Sequence, residues 1–130
     1  MCDKILRMHV MIVEDDPLLS ELVAMKLKKE GYKTTCAFNG KEGLEKLKEC
    51  VPSAIILDVM MPVMDGFEFL KIIRGEDKTK NIPVILFSSL GDKEKNIEEG
   101  KRLGANAFLV KSQLSLNDIP TKVREVTGVR

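Results

Sequence analysis

The sequence predicts a three-layer α/β fold, a parallel sheet covered by helices on both faces. Three observations predict it. Five short apolar runs alternate with five segments of helical periodicity, the pattern of parallel strands joined by helical crossovers. Three of the five runs are nearly all apolar, as strands buried on both faces must be. The chain is 130 residues long, the size of one domain that buries roughly two-thirds of its unfolded surface.

The elements follow in order. Met8–Val13 (MHVMIV) reads as the first strand. Asp16 then supplies an N-cap and Pro17 the first helical position. Leu19, Leu22, Val23 and Leu27 keep helical spacing, and Gly31 ends that helix. Thr34–Phe38 reads as the second strand, and Asn39-Gly40 opens a short helix carrying Leu44 and Leu47 that Pro52 closes. Ala54–Leu57 (AIIL) is a short buried strand. Asp65-Gly66 starts a helix with Phe67, Leu70 and Ile73 on one face. Pro83–Phe87 (PVILF) is the fourth strand. The helix after it, roughly Lys93–Leu103, has Ile97 and Leu103 as its main apolar residues and Gly100 inside it, so it is expected to be weakly held. Ala107–Val110 (AFLV) is the fifth strand, and Leu116, Ile119, Val123 and Val126 mark a final amphipathic helix. One domain over 1–130, with a core from about 4 to 126 and no effector domain, is the expected organisation.

Composition narrows the function classes. Lys plus Arg is 21, Asp plus Glu is 20, and the net charge is +1, so no electrostatic footprint for nucleic acid or a membrane surface is expected. No apolar run approaches the ~20 residues of a membrane helix, and the N-terminus lacks the long apolar stretch of a secretory signal. The three cysteines, Cys2, Cys36 and Cys50, are an odd count without CxxC spacing. They are expected to be free thiols in a reducing cytoplasm, Cys36 and Cys50 as small buried apolar residues.

In open α/β sheets the functional crevice lies at the carboxyl ends of the strands. Glu14, Asp15 and Asp16 follow the first strand, Asp58 the third, Ser88 and Ser89 the fourth, and Lys111 the fifth. Two carboxylates ~4 Å apart repel by roughly 4 kcal/mol at an effective dielectric near 20. A hard divalent cation relieves that repulsion, and carboxylate oxygens suit Mg²⁺. A carboxylate can itself act as a nucleophile that accepts phosphoryl, with metal, lysine and hydroxyl around the phosphoryl oxygens. Taken singly, Asp16 is a helix cap, Glu14 a surface acid, Ser88 a turn residue and Lys111 a loop lysine. Their joint placement after four strands is what points to chemistry.

VEDD at Val13–Asp16, LDVMMPVMDG at Leu57–Gly66, PVILFSS at Pro83–Ser89 and FLVK at Phe108–Lys111 resemble, in order and spacing, the motifs of a response-regulator receiver domain of two-component signalling. The resemblance runs from about Lys4 to Val126. It implies the flavodoxin-like (βα)5 fold with strand order 2-1-3-4-5. It implies Asp58 as phosphoacceptor and Asp15 and Asp58 as direct Mg²⁺ ligands. Glu14 would reach the metal mainly through water, and Met60 would offer its backbone carbonyl. Ser88, with Ser89 secondary, resembles the switch hydroxyl, Lys111 the phosphoryl-pairing lysine and Phe108 the aromatic switch. The resemblance further implies a sensor histidine kinase or phosphotransfer protein as donor. A downstream protein, rather than nucleic acid or membrane, would read the face made by the fourth strand, fourth helix and fifth strand. The chain would be a monomer or a phosphorylation-linked dimer, and it would catalyse only its own phosphorylation and dephosphorylation.

The sequence departs from the family pattern at the residue after the lysine, often a proline and here Ser112. A cis non-proline bond costs ~3–4 kcal/mol, so Lys111–Ser112 is expected to be trans. Met60 and Leu90 are apolar where related positions modulate phosphoryl lifetime, and they are expected to limit water access. Two alternatives stay open on the residues alone. One is a receiver fold that takes no phosphoryl. The other is a Mg²⁺-dependent phosphohydrolase, for which no insertion long enough to form a lid is present.

Overall fold

The computed structural model describes residues 8–89, 93–113 and 115–128, of 93–95 the backbone alone. The elements run β1 (His9–Val13), α1 (Pro17–Lys29), β2 (Lys33–Ala37), α2 (Gly40–Glu49), β3 (Ala54–Asp58), α3 (Gly66–Arg74), β4 (Val84–Ser88), α4 (Lys93–Arg102), β5 (Ala107–Val110) and α5 (Asp118–Thr127). Each strand lies within one residue of its predicted limits. All pairs are parallel, in the order β2-β1-β3-β4-β5, so the predicted fold and strand order are borne out.

Period-two alternation along the strands divides the core into two layers. Met11, Val13, Ile55, Leu57, Val84 and Leu86 face one side, where they meet Leu47 of α2 and Phe69, Leu70 and Ile73 of α3. Val10, Ile12, Ala54, Ile56, Ile85 and Phe87 face the other, where they meet Val23 and Leu27 of α1 and Ile119 and Val123 of α5. Phe108 and Leu103 belong to the first side, which puts α4 with α2 and α3. α1 packs on α5, and α2 on α3.

The caps are those the sequence suggests. Asp16 Oδ1 accepts from Leu18 N at 3.0 Å and Leu19 N at 3.4 Å. Asn39 Oδ1 accepts from Glu42 N at 2.8 Å, and Asp65 Oδ1 from Glu68 N at 2.9 Å. Gly31, at φ +95°, turns the chain out of α1 toward β2. Two expectations need correction. Phe69, rather than Phe67, is the fully buried aromatic of α3; Phe67 is half-buried. Gly66, Phe69, Leu70 and Ile73 repeat at helical spacing once Gly66 is counted as the inward start, which leaves Phe67 at the edge of the stripe. Cys50 is disulfide-bonded, not a free apolar thiol, whereas Cys36 is free and half-buried. Among the described residues no helix is long and apolar enough to cross a membrane.

Candidate functional site

Strand parity decides which predicted site residues meet. Glu14, Asp58 and Lys111 stand two residues beyond Ile12, Ile56 and Leu109, all of which face the α1–α5 side. Successive strand residues point to opposite faces, so all three rise on the same side of the strand ends. Val13 pairs with Leu57 across β1 and β3, which brings Glu14 level with Asp58. Ser88 stands two beyond Leu86, on the α4 side with Phe108.

The three come together in a nearly dry pocket. Asp58 is 2% exposed and Glu14 1% exposed. Lys111 Nζ lies 2.9 Å from Glu14 Oε1 and 3.2 Å from Asp58 Oδ1, and 5.4 Å from the centre of the Phe87 ring beneath it. Asp15 is exposed at the rim, and carboxylate oxygens of Glu14, Asp15 and Asp58 all fall within 4.8 Å of one another. Met60 N donates to Asp58 Oδ1 at 3.3 Å, an Asx turn that folds the loop back over β3. Asp16 N donates to Glu14 Oε2 at 3.1 Å. Glu14 Oε1 is buried with the Lys111 ammonium opposite it. Asp58 Oδ2 is buried with neither a hydrogen bond nor an ion pair among the described residues.

The electrostatics follow from this crowding. Burial raises the Asp58 pKa, the neighbouring Glu14 charge raises it further, and Lys111 works against both; the carboxyl is raised to about 7. Burial pulls Lys111 downward, but its bond to Glu14 and the Asp58 charge outweigh it, so the ammonium is held above its ordinary value. Three carboxylates share a single lysine, so the cluster carries excess negative charge that a further cation would offset.

The remaining predicted residues stand around this centre. Ser88 is buried at the end of β4 and joined to the site by its backbone, Lys111 N donating to Ser88 O at 2.8 Å. Ser89 is exposed. Phe108 is half-buried under α4, on the far side of the sheet from the acids. The Met60 side chain is exposed. Leu90 and the stretch before Met8 lie outside the described residues. No cis peptide occurs among the described residues, so Lys111–Ser112 is trans, as expected.

Two residues of the loop between β3 and α3 have tertiary roles that the sequence does not signal. Gly66 starts α3, as Asp65-Gly66 predicts. Its N–H donates to Val59 O at 2.8 Å, and a Cβ there would collide with the Asp58 carbonyl and stand 2.9 Å from Val59 Cα. The close approach is tertiary, so Asp-Gly could indicate the turn but not the contact. Val63, at φ +71°, is the sole non-glycine with positive φ among the described residues. Met64 N donates to Pro62 O at 2.7 Å across it, which makes a tight three-residue turn that nothing in its side chain favours.

The response regulator receiver domain model matches residues 10–124. A transcriptional regulatory protein of Bacillus subtilis, YcbL, is 36% identical over 115 residues, which is 88% of this chain and 48% of that protein. The transcriptional regulator RpaA of Synechocystis is 34% identical over 79% of this chain and 42% of its own length. This chain thus spans about half the length of these curated relatives. Among solved structures, the chemotaxis protein CheY4 of Vibrio cholerae superposes with a TM-score of 0.86 at 30% identity, covering 93% of this chain and 99% of that one. The receiver domain of Francisella response regulator 1452 gives a TM-score of 0.84 at 31% identity, covering 94% and 98%.

Proposed function

The chain belongs to the response regulator receiver domain family, and from that premise we propose that Asp58 is its phosphoacceptor. The observation that carries the reading is the bare, buried Asp58 Oδ2 in a cluster of Glu14, Asp15 and Lys111. The donor is a phosphohistidine on a sensor histidine kinase or phosphotransfer protein, or a small acyl phosphate. An Asp58 carboxylate oxygen attacks phosphorus, the P–N or P–O bond to the donor breaks, and the imidazole or carboxylate leaves with the bond electrons.

The residues fit Mg²⁺, because hard carboxylate oxygens of Glu14, Asp15 and Asp58 lie within 4.8 Å of one another; the family resemblance adds the Met60 backbone carbonyl as a further oxygen. Mg²⁺ supplies charge neutralisation for the phosphoryl oxygens and the attacking carboxylate. Lys111, held charged by Glu14 and Asp58, pairs with a phosphoryl oxygen, and Ser88 offers a hydroxyl from the next strand end. Glu14 keeps Lys111 pointed at Asp58 through the 2.9 Å contact. Burial of Asp58 limits the access of bulk water to its acyl-phosphate product. Once charged, the site draws Ser88 inward and Phe108 follows. The face of β4, α4 and β5 then shifts between pre-existing states that a downstream protein reads.

The test is intact mass after acetyl phosphate, with and without Mg²⁺, for wild type and Asp58→Asn. One Mg²⁺-dependent, hydroxylamine-labile phosphoryl on wild type and none on the variant is the expected result. Uptake that persists in Asp58→Asn refutes the assignment. No uptake from acetyl phosphate or from any phosphohistidine donor would favour a receiver fold that takes no phosphoryl.

A further inference from the structure

α4 is a polar helix, KEKNIEEGKR, and it carries a glycine in its interior. Mid-helix glycine is destabilising relative to alanine, because it loses more backbone freedom on folding. Among α4 residues with described side chains, Gly100 alone is fully buried, with Ile97 half-buried one turn earlier and Leu103 half-buried just past the end. A Cβ on Gly100 would strike Leu86 Cδ1 and stand 2.7 Å from Phe108 Cε1 and 3.0 Å from Cζ. Leu86 and Phe108 are register partners on β4 and β5, so together they form the floor on which the helix backbone rests.

The far end of α4 is fixed differently. Arg74, the last residue of α3, donates from Nη2 to Gly104 O at 2.8 Å and from Nε to the same oxygen at 3.1 Å. Nη2 also donates to Asn106 Oδ1 at 3.0 Å, an oxygen that accepts from Val84 N at 2.9 Å. The turn leaving α4 is thereby tied to α3 and to the start of β4. A planar guanidinium spanning two acceptors fixes direction as well as distance.

We propose that Gly100 and Arg74 are positioning residues that make α4 a lever, clamped at its C-terminal end by Arg74 and seated at Gly100 on the Phe108 ring. When the ring leaves the seat, the helix swings about the clamp. The trigger rests on the phosphoacceptor reading above; the two-point hold does not.

Residue-resolved hydrogen exchange on the full chain separates the two. It is measured as purified and under acetyl phosphate with Mg²⁺, with intact mass giving phosphoryl occupancy. As purified, Arg74→Ala should speed exchange of the Leu103, Gly104 and Ala105 amides about tenfold, and Phe108→Ala should speed those of 97–100 about fivefold, with β3 unchanged in both. Unchanged rates in either variant overturn the two-point hold. Under phosphorylation, wild-type 97–100 should change about fivefold while Gly104 and Ala105 stay within about twofold. Gly100→Ala at matched occupancy should lose the response at 97–100, because its methyl wedges the helix off the ring. A full response there overturns the seat. Should Gly100→Ala fail to fold, the as-purified Phe108→Ala rates decide. A wild type that takes no phosphoryl from acetyl phosphate or from a phosphohistidine donor contradicts the phosphoacceptor reading, and the as-purified comparison still judges the hold.

Discussion

A proton on Asp58 is favoured by burial and by Glu14 and opposed by Lys111, and the balance lies near neutrality, at about 7. The folded state therefore binds this proton more tightly than the unfolded chain, whose aspartate titrates at 3.8. Stability of the metal-free protein should fall as pH rises from about 4 to about 7, then level off. Asp58→Asn should remove that slope. At pH 8 it should stabilise the metal-free protein by about 1 kcal/mol, Lys111 having offset part of the cost of the buried charge. Urea unfolding at several pH values checks both; a variant with the wild-type slope would place the titration elsewhere. A second residue-scale prediction concerns Val63. A β-branched residue at φ +71° is strained by about 1–3 kcal/mol, and asparagine tolerates that region better. Val63→Asn should stabilise by about 0.5–1 kcal/mol, read as a higher urea midpoint at unchanged slope. Such strain is invisible in sequence, because nothing about valine announces it; the Pro62 carbonyl and the seating of Met64 impose it from outside.

Elements were legible where local rules suffice. The five apolar runs became the five strands within a residue, and Asp16, Asn39 and Asp65 cap as their types suggest. Legibility failed where the deciding contact is tertiary. The α3 stripe was placed on Phe67 because Gly66 carries no hydrophobic signal, although its helix position faces inward. Gly66 itself sits on the Asp58 carbonyl. Gly66→Ala must push either α3 or the end of β3 aside. The expected cost is about 2–4 kcal/mol, large for a single methyl because the opposing atoms are backbone, with loss of phosphoryl uptake beyond what reduced stability explains. Uptake at the wild-type rate in folded Gly66→Ala would show that the loop does not position Asp58. The site's convergence could be foreseen from strand ends alone, but its division could not. Parity sends Glu14, Asp58 and Lys111 to one face and Ser88 and Phe108 to the other, and reading parity needs the exact strand limits and register. The bonded state of Cys50 was likewise beyond an argument from cysteine count.

At the scale of the whole molecule, the sheet is a rigid comb that holds charges at the ends of its teeth. Holding three carboxylates together is costly, and a bound cation returns part of that cost as stability. Mg²⁺ at ten times its dissociation constant should stabilise the fold by about 1.4 kcal/mol, or roughly 3–6 °C in the unfolding midpoint of a domain this size. Asp15→Asn should flatten the dependence, and an equal rise in that variant would mean that the cation binds elsewhere. The central claim is that Asp58 carries the phosphoryl. It is tested most directly by borohydride trapping after acetyl phosphate with Mg²⁺, which reduces an acyl phosphate to an alcohol and marks the position in a peptide map. The account predicts homoserine at position 58 and aspartate retained at Asp15, Asp16 and Asp65. Homoserine at any other position, with Asp58 intact, would contradict it.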